Sequence, residues 1–352
     1  MQKGMFVKDI KSLPQSGAAV SGVFAIASAR RDLTRNGAPY WLLTLQDCTG
    51  AIGANIWSPL SVAIQQIPVN SVAWIAGATK EYQGQTTVAA RQYEELDSAE
   101  WQELARDLAP ASPVDPEALF AELIALCERE FSYPAWSALM SEILFDPGIR
   151  TLLLAAPAAR SVHQAYRGGL LEHLLKVARI CLALADIYPE LDRQALLAGA
   201  ILHDIGKIRE YAAGFAIEIT QSGMLFGHSF LGLELLAPFL SRSSLEPALQ
   251  EHLKHLIISH HGEHEFGAAA LPQTPEAFVL HYADNLDAKM GICAAAFGDA
   301  EAPFWSERQW TVQRKLLLPR RTPAEASPAA ANGANASGPA EQAQYPLLGC
   351  GR

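Results

Sequence analysis

The sequence predicts a protein in which a small β-barrel is followed by an all-α domain and a disordered tail. Residues 5 to about 96 contain short runs of β-forming residues separated by turn dipeptides such as Asn36-Gly37, whereas beyond residue 116 apolar residues recur with helical spacing. The chain has 352 residues, half of them hydrophobic, which suffices for two cores. The predicted domains are a barrel over 1–96, a linker over 97–116, a helical domain over 117–320 and a disordered tail over 321–352.

Five runs of β-formers define the predicted barrel: VSGVFAIASARRDL, PYWLLTLQD, GAIGANIW, SVAWIAGATKEY and TTVAARQYEEL. Between the third and the fourth lies SPLSVAIQQIP, which fits a short helix. Five strands with one helix after the third is the order of an OB-fold barrel. The stretch YWLLTLQDCTGAIGANIW closely resembles strands two and three of OB domains that bind nucleic acids.

Helix-start signals support the second, all-α domain. Asp115 is a suitable N-cap ahead of Pro116, and Asp192 and Thr274 precede later apolar-periodic runs in the same way. The pattern is helical to about residue 318. Beyond residue 321 the chain is mostly Ala, Pro, Gly, Asn and Ser, which offer too little apolar surface to offset the entropy of ordering.

Composition limits the partners and the cell compartment. The net charge of −10 argues against a wholly basic nucleic-acid coat, but residues 1–95 carry eight Lys and Arg against six Asp and Glu, a net charge of +2. We see no apolar run long enough to cross a bilayer and no signal peptide in MQKGMFVKDI, so we expect no membrane partner. The five cysteines form no CxxC pair and are interpreted as reduced thiols of a cytoplasmic protein.

The barrel predicts a surface for single-stranded nucleic acid, because such barrels combine a basic groove with aromatic rings on which bases stack. The alternative for the aromatic residues is a place in the core, which for Trp41 and Trp57 is about as common as a stacking platform. The alternative for the arginines is an ordinary solvated face. The candidates are Arg30, Arg31, Arg35, Tyr40, Trp41, Trp57, Lys80 and Tyr82.

A run of histidines and aspartates predicts the chemistry of the helical domain. The stretch AGAILHDIGKIREY places His203 and Asp204 at the end of an apolar helical run. The ordered set His, His-Asp, His, His-His, Asp is typical of a binuclear metal site in an all-helical phosphohydrolase. Its members are His173, His203, Asp204, His228, His260, His261 and Asp284.

These residues divide into two predicted metal sites that share Asp204 as a bridge. His173, His203 and Asp284 would complete one site, and His228, His260 and His261 the other. A bridging carboxylate holds two ions about 3.5–4 Å apart, which suits attack on phosphorus by a metal-activated hydroxide. Histidine and carboxylate ligands favour Mn²⁺, with Co²⁺, Fe²⁺ or Zn²⁺ as alternatives, over Mg²⁺ or Ca²⁺.

Several neighbours of the predicted ligands have roles of their own. Gly206 would allow the helix to end at the His-Asp pair, and Lys207 is predicted to neutralise a phosphate oxygen, with an ordinary exposed lysine as the alternative. His281 shares a helical face with Asp284 and is a candidate for orienting a ligand. Two nearby acids, Glu210 and Asp287, are predicted to form surface ion pairs. The remaining histidines fit no position in the site: His163, His252, His255 and His264.

Five segments together carry a family resemblance: GGLLEHLLKV, LLAGAILHDIGKIRE, GHSFLGLELL, LKHLIISHHGEHEFG and LHYADNLDAKM. They resemble the HD-superfamily 3′-to-5′ exoribonucleases of the YhaM type, which also carry an N-terminal OB domain, and the similarity covers residues 5 to about 318. The resemblance implies metal-dependent removal of nucleotides from the 3′ end of single-stranded RNA, with some activity on single-stranded DNA. The seven matching ligand positions are all retained, and assembly into a homo-oligomer is left open.

Two other functions remain open at this point. The same metal chemistry could hydrolyse small nucleotides such as cyclic dinucleotides or dNTPs, although a barrel for polymers would then have little purpose. A non-catalytic RNA-binding protein with a vestigial metal site is the alternative from another class, and the intact ligand set argues against it. Incubation with Mn²⁺ and end-labelled RNA, compared with a cyclic dinucleotide, separates the three.

Overall fold

The computed structural model describes residues 2–82, 84–108, 114–159, 166–212, 217–298 and 300–322, except for the side chains of residues 105 and 106. The chain divides into two compact units, residues 1–295 and 296–352. The four predicted domain boundaries stay a prediction. Of the predicted disordered tail, only residues 321 and 322 lie within the described part of the chain.

The N-terminal part is a closed five-stranded barrel with the strand order β1-β2-β3-β5-β4, as predicted for an OB fold. Strand β1 pairs antiparallel with both β2 and β4, and the parallel pairing of β3 with β5 closes the barrel. The predicted helix between β3 and β4 is present but short. The elements are β1 Ala19–Leu33, β2 Pro39–Asp47, β3 Gly50–Ile56, α2 Leu60–Ala63, β4 Val72–Tyr82 and β5 Gln85–Leu96.

Helix α1, Val7–Ser12, was not predicted from the sequence, and it is held to the barrel by a buried carboxylate. Asp47 is fully buried at the end of β2, where it accepts a hydrogen bond from the backbone N–H of Val7 at 2.8 Å. The Lys3 ammonium lies 3.1 Å from the same carboxylate. A buried carboxylate is stable only with such partners, so the N-terminal segment is tied to the barrel.

The first half of the predicted linker is helical and packs on the barrel. It comprises α3 Ser98–Trp101, a 3₁₀ turn and α4 Ala105–Leu108. Leu104 and Leu108 are buried against Val23 and Val72 of the barrel wall. The burial of these apolar side chains makes residues 98–108 an outer layer of the barrel.

Nine helices make up most of the described remainder: α5 Pro116–Glu130, α6 Pro134–Leu144, α7 Pro147–Ala155, α8 Gly169–Ile187, α9 Arg193–Leu202, α10 Lys207–Glu210, α11 Gln221–Arg242, α12 Pro247–Ser259 and α13 Pro275–Phe297. The predicted caps are confirmed, since Asp115, Asp192 and Thr274 each accept a hydrogen bond from a backbone N–H of the first turn. Helix α9 lies at the centre, because every residue from Ala195 to Leu202 is buried.

The expectation of a purely helical pattern to residue 318 is wrong at two places. Strands β6 Tyr211–Ala212 and β7 Glu218–Ile219 form a small hairpin between α10 and α11. A second hairpin pairs β8 Phe304–Trp305 with β9 Leu317–Leu318. Such two-residue strands are too short to give a period-two pattern in the sequence.

Helix α11 bears on the expectation that no apolar run is long enough to cross a bilayer, which stays a prediction. By length and composition its 22 residues qualify, although 39% of the most apolar window is buried inside the protein. Gly227 interrupts the helix with φ 70° and ψ 162°, so two shorter helices meet there. A core helix of a soluble protein gives the same signal, and this helix carries His228 into the site described next.

Candidate metal centre

Five helices of the bundle bring all seven predicted ligands together. His173 lies on α8, the buried pair His203 and Asp204 follows the end of α9, and His228 lies just after the break in α11. The doublet His260 and His261 follows the end of α12, and Asp284 lies on α13. Because each helix packs into the same core, residues far apart in the sequence converge on Asp204.

One half of the site surrounds the Oδ2 atom of Asp204. The Nε2 atoms of His173 and His203 each lie 3.3 Å from this oxygen. The Oδ1 atom of Asp284 lies 3.2 Å from His173 Nε2 and 3.9 Å from His203 Nε2. Two imidazole nitrogens and two carboxylate oxygens therefore face one point.

The other half surrounds the second oxygen of the same carboxylate. Asp204 Oδ1 lies 3.2 Å from the Nε2 atom of His228 and 3.7 Å from that of His260. The Nε2 atom of His261 lies 3.1 Å from that of His228. The two oxygens of Asp204 thus face different histidine groups, which is the arrangement that a bridging ligand requires.

The protonation of the buried imidazoles follows from their outer contacts. Nδ1 of His203 lies 2.9 Å from the carbonyl oxygen of Ala200, and Nδ1 of His260 lies 2.6 Å from that of Ile257. A carbonyl only accepts hydrogen bonds, so in each ring Nδ1 carries the proton. The neutral imidazole then presents the lone pair of Nε2 to the centre of the site, as a metal ligand does.

The donor set fits a pair of divalent cations. Asp204 Oδ1 is buried without a hydrogen-bond donor, which is costly for a carboxylate oxygen unless a cation satisfies it. The ligand atoms of His228, His260 and His261 lie within 4.8 Å of one another, as do those of His173, His203 and Asp204. Imidazole nitrogen and carboxylate oxygen are donors that first-row transition metals accept.

The electric field at the site favours positive charge near the carboxylates. Burial by itself would raise the pKa of Asp204, but Lys207 and the neighbouring imidazoles hold it well below its usual range. Burial also opposes ionisation of Asp284, yet its hydrogen bond with His173 lowers the pKa of that carboxyl. In turn, hydrogen bonds with Asp204, Asp284 and Asp287 raise the pKa of His173 well above its usual range, although burial alone would lower it.

The pKa values of His260 and His261 are shifted in the opposite direction. Burial, followed by the nearby His203, lowers the pKa of His260 well below its usual range. Burial and His228 lower the pKa of His261 to about 4. These rings are therefore neutral at physiological pH, which keeps their lone pairs free for a cation.

Lys207 lies beside the Asp204 carboxylate with only 15% of its side chain exposed, in contrast to an ordinary exposed lysine. Its Nζ atom lies 2.6 Å from Asp204 Oδ2. Burial disfavours the charged ammonium, but the attraction of Asp204 raises the pKa of Lys207 above its ordinary value. A permanently charged ammonium group at the edge of the site suits the phosphate-neutralising role predicted from the sequence.

The interpretation of Asp287 and Glu210 as surface ion pairs is wrong. Asp287 is buried, and its Oδ2 atom lies 2.8 Å from Nδ1 of His173. Glu210 lies 3.3 Å from Nδ1 of His228, and its pKa is lowered by that ring although burial opposes the shift. Each acid fixes the orientation of a ligand through the ring nitrogen that faces away from the centre.

The other histidines divide as follows. His281 contacts the site indirectly, because its Nδ1 atom lies 2.9 Å from the carbonyl oxygen of His260. His252, His255 and His264 have partners elsewhere: Thr274, the backbone N–H of Gln273 and the carbonyl of Ala268, respectively. His163 lies outside the described residues.

The role of Gly206 differs from the one predicted. Its backbone has ordinary helical dihedral angles, φ −65° and ψ −16°, so no left-handed break is needed there. A Cβ atom at this position would lie 1.9 Å from the carbonyl oxygen of His228 and 2.5 Å from the backbone nitrogen of Gly232. Gly206 therefore permits α11 to approach closely enough to bring His228 to Asp204.

Five of the eight predicted nucleic-acid contacts line one groove on the barrel. The groove has a volume of about 430 Å³ and is lined by Arg30, Tyr40, Trp57, Lys80 and Tyr82. The rings of Tyr40 and Trp57 stack at 4.7 Å with an angle of 15° between their planes. Lys80 Nζ lies 5.6 Å from the centre of the Trp57 ring, and Tyr82 is 61% exposed.

Three of the predicted contacts lie elsewhere. Trp41 is only 6% exposed and donates its indole N–H to the carbonyl of Ile64, so its assignment as a stacking platform is corrected to the barrel core. Arg31 lies on the other side of β1 from Arg30, with its guanidinium carbon 6.0 Å from the centre of the Trp41 ring. Arg35 is exposed in the turn between β1 and β2, and it does not line the groove.

Residues 170–289, which contain all seven predicted ligands, match the family model described as HD domain. The predicted resemblance to YhaM is confirmed by two relatives, both named 3′-5′ exoribonuclease YhaM, from Bacillus subtilis strain 168 and from Bacillus velezensis. Each is 28% identical over 319 residues, which cover 90% of this chain and 97% of the relative. Among solved structures, the HD domain of the phosphodiesterase PgpH from L. monocytogenes is 19% identical with a TM-score of 0.29, covering 45% of this chain and 77% of that one.

Proposed function

We propose that this protein is a metal-dependent 3′-to-5′ exoribonuclease that acts on single-stranded RNA, and also on single-stranded DNA. The observation that carries the chemistry is the position of Asp204, whose two carboxylate oxygens face separate histidine groups. The polarity of degradation comes from the YhaM relatives, which align along nearly their whole length.

The metals that we propose are two divalent ions, with Mn²⁺ first and Co²⁺, Fe²⁺ or Zn²⁺ as alternatives. When bound, such ions polarise phosphoryl oxygens and lower the pKa of a water molecule that attacks phosphorus. His173, His203 and Asp284 would hold one ion and His228, His260 and His261 the other, with Asp204 shared. Asp287 and Glu210 keep the rings of His173 and His228 in place by accepting hydrogen bonds from their Nδ1–H groups.

Lys207 has a separate task in this proposal. Its ammonium group lies beside the bridging carboxylate and stays protonated at neutral pH. It would donate hydrogen bonds to a phosphate oxygen of the strand and so offset charge that develops there during cleavage.

The barrel would hold the strand through the groove between Tyr40, Trp57 and Tyr82. Two exposed cations, Arg30 and Lys80, line the same groove and suit phosphate groups. Trp57 is stacked on Tyr40 and has Lys80 near its ring, which leaves Tyr82 as the more open platform for a base. Small nucleotides as the substrate are not favoured, because they would not use such a groove and both relatives are named for RNA degradation. A cytoplasmic location and a homo-oligomeric state stay predictions.

The test uses single-stranded RNA labelled at its 5′ end. With Mn²⁺ we expect a ladder of products that shorten from the 3′ end, together with release of mononucleotides. A matching DNA strand and a cyclic dinucleotide serve as comparisons. Faster hydrolysis of the cyclic dinucleotide than of RNA would contradict the proposal, and undiminished RNA cleavage in excess chelator would exclude the metal chemistry.

A further inference from the structure

The segment 304–321, here named the C-terminal hairpin, exposes an unusual number of large aromatic side chains. Trp310 is 75% exposed, Trp305 is 62% exposed, and Phe304 is exposed as well. Single exposed apolar residues are common on soluble proteins, but several aromatic rings on one short hairpin indicate a binding surface. Neither the metal centre nor the barrel groove uses them.

The hairpin is fixed by its own hydrogen bonds. Trp305 pairs with Leu317 across the two strands. The backbone N–H of Ser306 donates to the carbonyl of Leu316 at 2.8 Å, and the N–H of Leu316 donates to the buried hydroxyl of Ser306 at 3.0 Å. The exposed rings are thus held on an ordered backbone, which reduces the entropy lost when a ligand stacks on them.

The charge of the hairpin selects an anionic partner. Its 18 residues contain five Lys and Arg and only one acid, Glu307, a net charge of +4 in a chain of net charge −10. The acid lies 3.7 Å from Lys315. The guanidinium carbon of Arg308 lies 5.6 Å from the centre of the Trp310 ring, so arginine and aromatic groups are interleaved.

We propose that the C-terminal hairpin is a second binding surface for the single strand, in addition to the barrel. A base would stack on the exposed face of Trp310, and Arg314 and Lys315 would contact the flanking phosphates. A membrane surface fits less well, because Arg308 places a charge directly against the ring that would have to enter the lipid. The choice of RNA as the strand rests on the proposed function, whereas the aromatic and basic surface does not.

The test measures strand affinity in the full-length protein with Asp204→Asn, so that the strand is not cleaved. The probe is a labelled single-stranded RNA of about 20 nucleotides, longer than one barrel occupies. Trp310→Ala should raise Kd about tenfold, the size of one lost base stack of 1–3 kcal/mol. Arg314→Gln with Lys315→Gln should reduce the slope of log K against log salt by about 1.4, since each phosphate contact contributes about 0.7.

Matched controls use exposed residues outside the hairpin. Tyr188→Ala removes an exposed aromatic ring after α8, and Arg129→Gln with Lys254→Gln removes two exposed charges. Neither should change Kd for the RNA beyond about twofold at moderate salt, because neither removes a residue of the hairpin or of the barrel groove and salt screens exposed charges. If Trp310→Ala lowers the melting temperature, the Arg314 and Lys315 variant decides, because both side chains are exposed.

Unchanged affinity and salt slope in both hairpin variants would overturn the proposal. If the hairpin variants lose binding to vesicles of phosphatidylcholine and phosphatidylserine but keep the RNA affinity of the parent, the surface binds a membrane instead. Cleavage is measured separately with the unsubstituted protein. If that protein binds RNA through the hairpin but does not cleave it, the proposed exoribonuclease activity fails and the hairpin proposal stands.

Discussion

The Oδ2 atom of Asp287 lies 2.8 Å from Nδ1 of His173, on the side of the ring that faces away from Asp204. This contact fixes the ring so that Nε2 points to the Asp204 carboxylate, 3.3 Å away. A carboxylate that accepts from a metal-binding histidine also makes the ring a stronger ligand. Asp287 therefore acts on the site through His173 and is a positioning residue.

We expect Asp287→Asn to weaken metal binding by about 10- to 100-fold, as is typical when the partner of a ligand is removed. The amide is isosteric, so the fold should be kept. A titration with Mn²⁺ in which activity is the readout measures the change in metal affinity. Excess Mn²⁺ should restore most of the turnover. Glu251→Gln, an equivalent change on the exposed face of α12, is the control. Unchanged metal affinity would show that Asp287 has no positioning role.

Asp204→Ala should be the most damaging single change in the protein, because one side chain contacts both histidine groups. We expect loss of both bound ions by elemental analysis and a fall in turnover of at least about 1,000-fold, comparable to loss of a transition-state stabilising group. The Asp284→Ala variant should retain part of the metal, because the Asp284 carboxylate contacts only His173 and His203. Near-normal turnover of Asp204→Ala would rule out the bridge.

Chelation gives the corresponding test without a substitution. Excess EDTA should abolish RNA hydrolysis, and addition of Mn²⁺ or Co²⁺ should restore it. The apo protein should also unfold at a lower temperature, because a cation that binds only the folded state stabilises it by mass action. Equal melting temperatures with and without Mn²⁺, at concentrations that restore activity, would contradict this coupling.

Gly206→Ala should damage both stability and activity. The new Cβ atom would lie 1.9 Å from the carbonyl oxygen of His228, so α10 and α11 must separate. We expect a loss of about 1–3 kcal/mol in the free energy of unfolding, the usual cost of overpacking, and weaker metal binding because His228 moves. Gly232→Ala is the matched control in the same interface, since its Cβ atom would lie 3.4 Å or more from its neighbours. That variant should be as stable as the parent or slightly more so.

The sequence was sufficient to predict what depends on order and local chemistry. The caps at Asp115, Asp192 and Thr274 follow from short-range hydrogen bonding, and the barrel follows from five strands with one helix after the third. The ligand order, read with the family resemblance, selected the seven residues that converge. The positioning role of Asp287 was not predicted, although a signal for it was present. Asp287 lies three residues after Asp284 and therefore shares its helical face.

The sequence could not predict features that depend on which side of a strand faces the barrel core or on how closely two helices pack. Tyr40 and Trp41 are adjacent and therefore point to opposite sides of β2, but both sides of this strand carry leucines. Only the closed barrel decides that Trp41 is inside and Tyr40 outside. The same alternation separates Arg30 from Arg31. The close approach of α11 to Gly206 is a tertiary distance, and no local pattern indicates it.

The inner and outer sides of the barrel strands lead to a last prediction, in which Trp41 of β2 and Tyr82 of β4 respond oppositely to substitution. Trp41→Ala should lower the free energy of unfolding by about 3–5 kcal/mol, because it leaves a cavity in the core. Tyr82→Ala should leave stability within about 0.5 kcal/mol, because the ring is largely exposed, and should weaken strand binding by about 1–3 kcal/mol. The loss of unfolding free energy in Trp57→Ala should lie between those of the other two variants, because this change also removes the stack on Tyr40.

Thermal unfolding and RNA affinity, measured on the same three variants in the Asp204→Asn background, separate the two roles. Tyr188→Ala controls for removal of an exposed aromatic ring outside the barrel. The groove assignment requires that Tyr82→Ala remain fully stable and lose affinity, and that Arg30→Ala flatten the salt dependence of binding while Arg31→Ala does so less. Equal effects of the two arginine variants would show that the strand does not follow this groove, since the two side chains lie on opposite sides of β1.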